Sequence, residues 1–297
     1  MRRRDLILSA LAAAPVLSGA PSVLARQPPI SDRFTIVREG TGPDVVLIPG
    51  LTSSRAVFDA ISDHLRPHFT LHRIQLNGFA GTPAGGNAGG DVVAPVVEDL
   101  CRYIDAAGLK APAVIGHSLG GEAGLMLAAR HPSCVGRLMV IDALPFISVL
   151  FFGPTATPDS VRPQADAIRD QMIAASDADY AKSETGFIAS LVKTEAARTE
   201  LTRQAVASDR SVVARAMHDL MVTDLTPELP RITAPTTILY AYDQKAYGVP
   251  SSMVDGWYQT AYAGLKGVKL VRVDDTYHFI MLDQPERFMA AVDAFLA

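Results

Sequence analysis

The run Val114-Ile115-Gly116-His117-Ser118-Leu119-Gly120-Gly121 sets a serine between glycines, behind a short apolar stretch and ahead of a helical one from Glu122 to Arg130. A strand, a sharp turn with serine at its tip and then a helix is the setting that a nucleophile elbow requires. Gly116 and Gly120 flank a turn too crowded for most side chains. A serine hydroxyl is a poor nucleophile at neutral pH. It needs a base to take its proton and a third group to orient that base. The chain order expected after such an elbow is Ser, then Asp or Glu, then His. His278, in Asp274-Asp275-Thr276-Tyr277-His278-Phe279-Ile280, is the histidine that follows the last strand-like runs. The acid should lie between Ser118 and His278 at a strand end. Asp243, closing Thr237–Tyr242, is the first choice, and Asp142, closing the preceding strand, is the second. Asp274 and Asp275 stand too close to His278 and read as loop-capping residues. A developing oxyanion also needs donors. The main-chain N–H of Leu119, directly after the serine, and that of Leu51, in the loop after Val45–Ile48, are the candidates. Together these residues predict acyl transfer through a covalent intermediate on Ser118. No lysine follows in the turn, which excludes a Walker-type phosphate loop. No residue set suggests a metal or an organic cofactor. His64, His68, His72 and His131 read as structural, His218 lies on a helix far along the chain, and His117 packs inside the elbow.

Such a site must be held by a sheet. Phe34–Arg38 alternates, as a half-buried strand does. Val45–Ile48 is continuously apolar, as expected of a strand covered on both faces of a parallel sheet. Strands are also predicted at Phe69–Leu76, Val135–Asp142, Pro235–Tyr240 and Val268–Val273, with helices at Ala56–Leu65, Val92–Ala107, Ser251–Ala263 and Pro285–Leu296. This alternation predicts a doubly wound, mostly parallel α/β sheet. Ligands then bind at the carboxyl ends of the strands, where the loops after Ile48, Leu76, Ile115, Ile141 and Tyr240 share one face. Between Leu144 and Pro227 the strand signal stops. Helices are predicted at Asp159–Ala175, Asp177–Val192, Thr194–Ala207 and Ser211–Val222. The organisation expected is a core of 31–145 and 228–297, with a helical insertion at 146–227.

In its motifs the chain resembles the α/β-hydrolase superfamily over about residues 34–297. The resemblance rests on Leu47-Ile48-Pro49-Gly50-Leu51, on Gly116-His117-Ser118-Leu119-Gly120-Gly121, on Pro235–Tyr240 through Asp243, and on His278 before Gln284-Pro285-Glu286-Arg287-Phe288. It implies Ser118 as nucleophile, Asp243 as acid, His278 as base, Leu51 and Leu119 as oxyanion donors, and 146–227 as a cap over the site. There are two departures. Pro49-Gly50 stands where the family often has His-Gly, and Asn77-Gly78-Phe79-Ala80-Gly81 replaces its usual Asp-X-X-Gly-X-Gly stretch. The reaction expected is hydrolysis of a carboxylic ester. Amidase or peptidase, lactonase, carbon–carbon hydrolase and cofactor-free haloperoxidase chemistry stay open on this fold, as does a non-catalytic ligand-binding role. Leu144, Phe146, Ile147, Val149, Leu150, Phe151 and Phe152 open the cap as an apolar cluster, which suits a small ester-like substrate with an apolar part.

The 297 residues, 48% hydrophobic and with a net charge of −4, suit a large globular domain and give no sign of a nucleic-acid partner. Residues 1–25 carry a basic start, an apolar run from Leu6 to Leu17 and a small-residue cleavage pattern at Val23-Leu24-Ala25. This is a secretion-signal layout, and Arg3-Arg4 gives it a twin-arginine cast. The expectation is a protein exported to the periplasm or secreted, without stable membrane insertion once the signal is removed. Two cysteines, Cys101 and Cys134, make neither a disulfide framework nor a zinc site; a single bridge between them is compatible with an oxidising compartment.

Overall fold

The computed structural model describes residues 31–297, and the signal-like segment 1–25 lies outside them. Seven strands form one sheet: β1 (Phe34–Gly40), β2 (Asp44–Ile48), β3 (Thr70–Leu76), β4 (Ala113–His117), β5 (Arg137–Ile141), β6 (Thr236–Tyr242) and β7 (Lys269–Asp274). Their order is β1-β3-β2-β4-β5-β6-β7. β1 runs antiparallel to β3, and every other neighbouring pair is parallel. The carboxyl ends of β2 to β7 therefore open on one face, the one that the alternating pattern predicts.

Helices wind over both faces: α1 (Asp59–Leu65), α2 (Val93–Ala106), α3 (Leu119–Arg130), five helices between β5 and β6 described below, then α9 (Gln244–Tyr247), α10 (Ser251–Ala261), α11 (Ile280–Asp283) and α12 (Pro285–Leu296). The core follows from the strand period of two. Val46, Ile48, Val114, Leu138, Val140 and Ile238 pack on one side with α2, α3 and α10. Val45, Leu47, Ile115, Met139, Ile141 and Leu239 pack on the other with α1 and α12. Both neighbours along each central strand are apolar because both faces are covered, so the sequence reads as a run and not as an alternation.

Between β5 and β6 stand α4 (Ser148–Phe152), α5 (Pro158–Ala174), α6 (Asp177–Leu191), α7 (Glu195–Ala207) and α8 (Arg210–Val222). The last four match the predicted cap helices to within a residue at each end. Local chemistry explains the match. Thr157, Ser176 and Asp209 each cap a helix by accepting from a main-chain N–H two or three residues into it. The cap is seated on the core by polar contacts at its turns. Gln204 accepts from Ser54 N, Ser208 Oγ accepts from Ala80 N, and Gly78 O accepts from Asp209 N. The carboxylate of Asp219 on α8 accepts from Val92 N and Val93 N at the start of α2. On the far side of the core, Cys101 of α2 and Cys134 form a disulfide with a Cα–Cα distance of 5.9 Å. No helix among the described residues is long and apolar enough to cross a membrane.

Candidate active site

Ser118 follows β4 with φ 54° and ψ −122°, a left-handed conformation that a serine adopts only under constraint. The constraint is visible. Ser118 N donates to Ile141 O of the neighbouring strand at 2.9 Å, and Ser118 O accepts from Gly121 N and Glu122 N as α3 begins. Gly120 is required where the elbow meets the β2 loop, because a Cβ there would lie 2.2 Å from Ile48 O. Further non-glycine residues around the site hold positive φ, among them Thr52 at 59°, Asp142 at 48° and, in the loop before His278, Asp275 at 67°.

Gly50 brings the β2 loop against the elbow: a Cβ on Gly50 would stand 3.0 Å from Ser118 Cβ and from His117 Nδ1. Leu51 follows it. Among the described residues, neither Leu51 N nor Leu119 N donates to another backbone group outside its own helix or strand. Leu119 is the first residue of α3, so its N–H has no partner within the helix either. The two expected oxyanion donors thus lie in the loop after β2 and at the first residue of α3.

His278 lies in the loop between β7 and α11, and its ring packs against that of His117 with centroids 4.6 Å apart. It is thereby set beside the elbow. His278 Nδ1 bonds a carboxylate oxygen at 2.7 Å, and that carboxylate belongs to Asp142, not to Asp243. This corrects the sequence expectation. Asp142 directly follows β5, the strand next to the serine's own, and is almost fully buried. Its other oxygen accepts from Ala241 N at 2.9 Å and from the Tyr258 hydroxyl at 3.0 Å. Burial pushes the Tyr258 hydroxyl well above its ordinary pKa, so it stays protonated and donates. Asp243 stands one strand further out and is engaged elsewhere. Its Oδ1 caps α9 through Lys245 N and Ala246 N, and its Oδ2 accepts from Lys193 Nζ of the cap at 2.8 Å. The Lys193 ammonium, helped by those two N–H groups, holds the Asp243 carboxyl below the usual range.

His117 has a structural part. Its Nε2 lies 3.0 Å from His278 O, and its Nδ1 is buried without a partner. Burial first, and the neighbouring His278 second, lower its pKa well below the ordinary value. It is therefore neutral, carries its proton on Nε2 and donates to the backbone of the His278 loop. The remaining described histidines with side-chain partners pair away from the site: His64 with Asp293, His72 with Tyr103 and Asp44, His131 with Glu98, His218 with Asp166.

Three residues on this face escaped the sequence reading. Tyr258, Lys193 and Asp283 make contacts with partners dozens of residues away, and no local pattern announces them. Glu122, one turn past Ser118 on α3, is also buried, and one of its oxygens has no partner. Burial, with the charge of Asp219 adding to it, pushes its carboxyl well above the ordinary range.

The profile of the alpha/beta hydrolase family matches residues 45–291. A Yersinia enterocolitica protein named as a carbamate hydrolase, RutD, is 28% identical over 232 residues, 74% of this chain and 80% of that protein. A pimeloyl-[acyl-carrier protein] methyl ester esterase of Chromobacterium violaceum is 35% identical over 107 residues, only 36% of this chain and 39% of its own length. Among solved structures, a hydrolase from Pseudomonas aeruginosa superposes with a TM-score of 0.72 at 22% identity, covering 89% of this chain and 94% of that one.

Proposed function

This chain belongs to the alpha/beta hydrolase family, and from that footing we propose that it is a serine hydrolase cleaving carboxylic esters. One observation carries the reading. A constrained serine turn at the end of β4 adjoins a histidine whose Nδ1 is held at 2.7 Å by a buried carboxylate on the next strand. Ser118 Oγ attacks the ester carbonyl as His278 takes its proton on Nε2. Asp142 keeps the imidazole in the tautomer that leaves Nε2 free, and stabilises the imidazolium that forms. The N–H groups of Leu51 and Leu119 receive the oxyanion. Collapse of the tetrahedral intermediate breaks the ester C–O bond, and His278 returns its proton to the leaving alkoxide. Water, deprotonated by the same imidazole, then hydrolyses the acyl-enzyme. Every one of these groups belongs to the chain, and the sequence offered no residue set for a metal or cofactor.

The substrate proposed is a small ester with an apolar part. The apolar start of the cap supports this: Leu144 and Phe146 are buried near the end of β5, while Leu150, Phe151 and Phe152 of α4 are 51, 66 and 39% exposed. The signal-like N-terminus and the Cys101–Cys134 bridge support export from the cytoplasm. The deciding test is Ser118→Ala, assayed on a chain-length series of activated acyl esters beside a lactone and an anilide. Turnover should fall at least about 10⁴-fold, and labelling by a fluorophosphonate should vanish. A variant that still hydrolyses the esters, or a wild-type protein that cleaves only the anilide or lactone, would refute the ester assignment.

A further inference from the structure

The loop that carries His278 is tied to the cap on both sides of the histidine. After it, Phe279 N donates to Leu191 O at the end of α6. Before it, Tyr277 N donates to Asp283 Oδ2 at 2.9 Å. The same carboxylate reaches the cap. Its Oδ1 accepts from Thr194 N at 2.8 Å, and Lys193 N lies 3.1 Å from each of its oxygens. The hydroxyl of the fully buried Thr276 stands 3.3 Å from Oδ2. Thr194 Oγ1 in turn donates to Leu282 O. One half-buried carboxylate therefore gathers main-chain donors from two places: the residue next to His278, and the turn between α6 and α7. Lys193 extends the contact, since its ammonium bonds Asp243 and Asp275 on the same rim.

We propose that Asp283 is a positioning residue for the base: it fixes the His278 backbone to the cap turn 193–194, so that the seating of the cap sets the alignment of the imidazole toward Ser118. The inference rests on the reading of His278 as the base of a serine hydrolase. The chemistry of the side chain makes it specific. Three main-chain N–H groups converge on two oxygens, which only a carboxylate can satisfy. An asparagine offers one acceptor and two donors, and must turn a donor toward Tyr277 N or toward the cap turn. A displacement of about 1 Å in a catalytic group is enough to cost about 10²-fold in rate.

Three variants test it on the full chain with an activated ester. Asp283→Asn and Asp283→Ala should each lower kcat by roughly 10–100-fold while KM stays within about threefold, and should slow fluorophosphonate labelling of Ser118 in parallel. Thr194→Pro approaches from the cap side. Residue 194 has φ −67°, which proline accepts, so the change removes the N–H donor to Asp283 together with the Thr194 Oγ1–Leu282 O bond, and alters no residue of the histidine loop. It should lower kcat by about 3–10-fold, again at constant KM. Thr194→Val, which removes only the hydroxyl, is the control and should keep the wild-type kcat. Rates are read well below each variant's Tm. An Asp283→Asn protein with the kcat and labelling rate of the wild type, altered only in Tm, overturns the positioning role while leaving the Ser118 reading intact, provided Ser118→Ala is inactive. A Ser118→Ala protein that turns over overturns both.

Discussion

Two aspartates close neighbouring strands on the same face, and only one meets the histidine. Asp142 is paired with His278 Nδ1 and braced by Ala241 N and Tyr258. Asp243 is spent on capping α9 and on Lys193. Replacing Asp142 by Asn should lower kcat/KM by about 10³–10⁴-fold, because an amide favours the wrong imidazole tautomer. Replacing Asp243 by Asn should lower it by less than about tenfold; steady-state kinetics of the pair, run side by side, decide between them. The sequence could narrow the carboxylate partner of His278 to these two but put Asp243 first, where the structure pairs Asp142. Strand-end position was legible, since the apolar runs before each aspartate are unmistakable. What separates them is the direction each carboxylate takes, and that depends on Lys193 and Tyr258, whose approach no local pattern encodes. Ser118, by contrast, was legible because glycines, strand and helix all lie within a dozen residues of it.

The cap helices were legible for the same reason, because their ends are written in Thr157, Ser176 and Asp209. The one-turn helices α4, α9 and α11 were not, since a single turn shows no period and is held by its surroundings. Two titrations belong to these elements. Glu184 of α6 is buried, and its desolvated carboxyl is pushed up to about 7. A raised carboxyl costs stability above its folded pKa, where it must ionise while buried, and costs nothing below its unfolded value. Glu184→Gln should therefore raise Tm by a few degrees at pH 8 and leave it unchanged near pH 4. Asp243 is the opposite case. Its lowered pKa contributes stability above the ordinary carboxylate range, and that contribution disappears as pH falls through the folded value. Asp243→Asn should lower Tm at pH 7, with the difference closing under acid; calorimetric scans across this range check both signs.

At the scale of the molecule, the mostly parallel sheet and its covered faces followed from the apolar runs, while the strand order and the seating of the cap on the core did not. That seating combines apolar residues of α6, α7 and α8 with hydrogen bonds from Gln204, Ser208, Asp209 and Asp219, all to partners far away in sequence. The disulfide lies away from this junction, tying α2 to the segment after α3 across 33 residues. Closing such a loop stabilises the fold by about 3–4 kcal/mol on the chain-entropy estimate. Replacing Cys101 and Cys134 by Ala should lower Tm by roughly 5–10 °C, with kcat at 25 °C unchanged, as scanning calorimetry beside an ester assay would register.

The placement of Asp142 directly after β5 also fixes when the enzyme becomes armed. Serine and acid sit on adjacent strands, joined through Ser118 N and Ile141 O, and both leave the ribosome ahead of the cap. The histidine that bonds Asp142 arrives 136 residues later. On the proposed roles, a nascent or truncated chain displays its nucleophile with no means of ionising it. Synthesis itself then acts as a safety catch, released only when the C-terminal segment docks and brings the base.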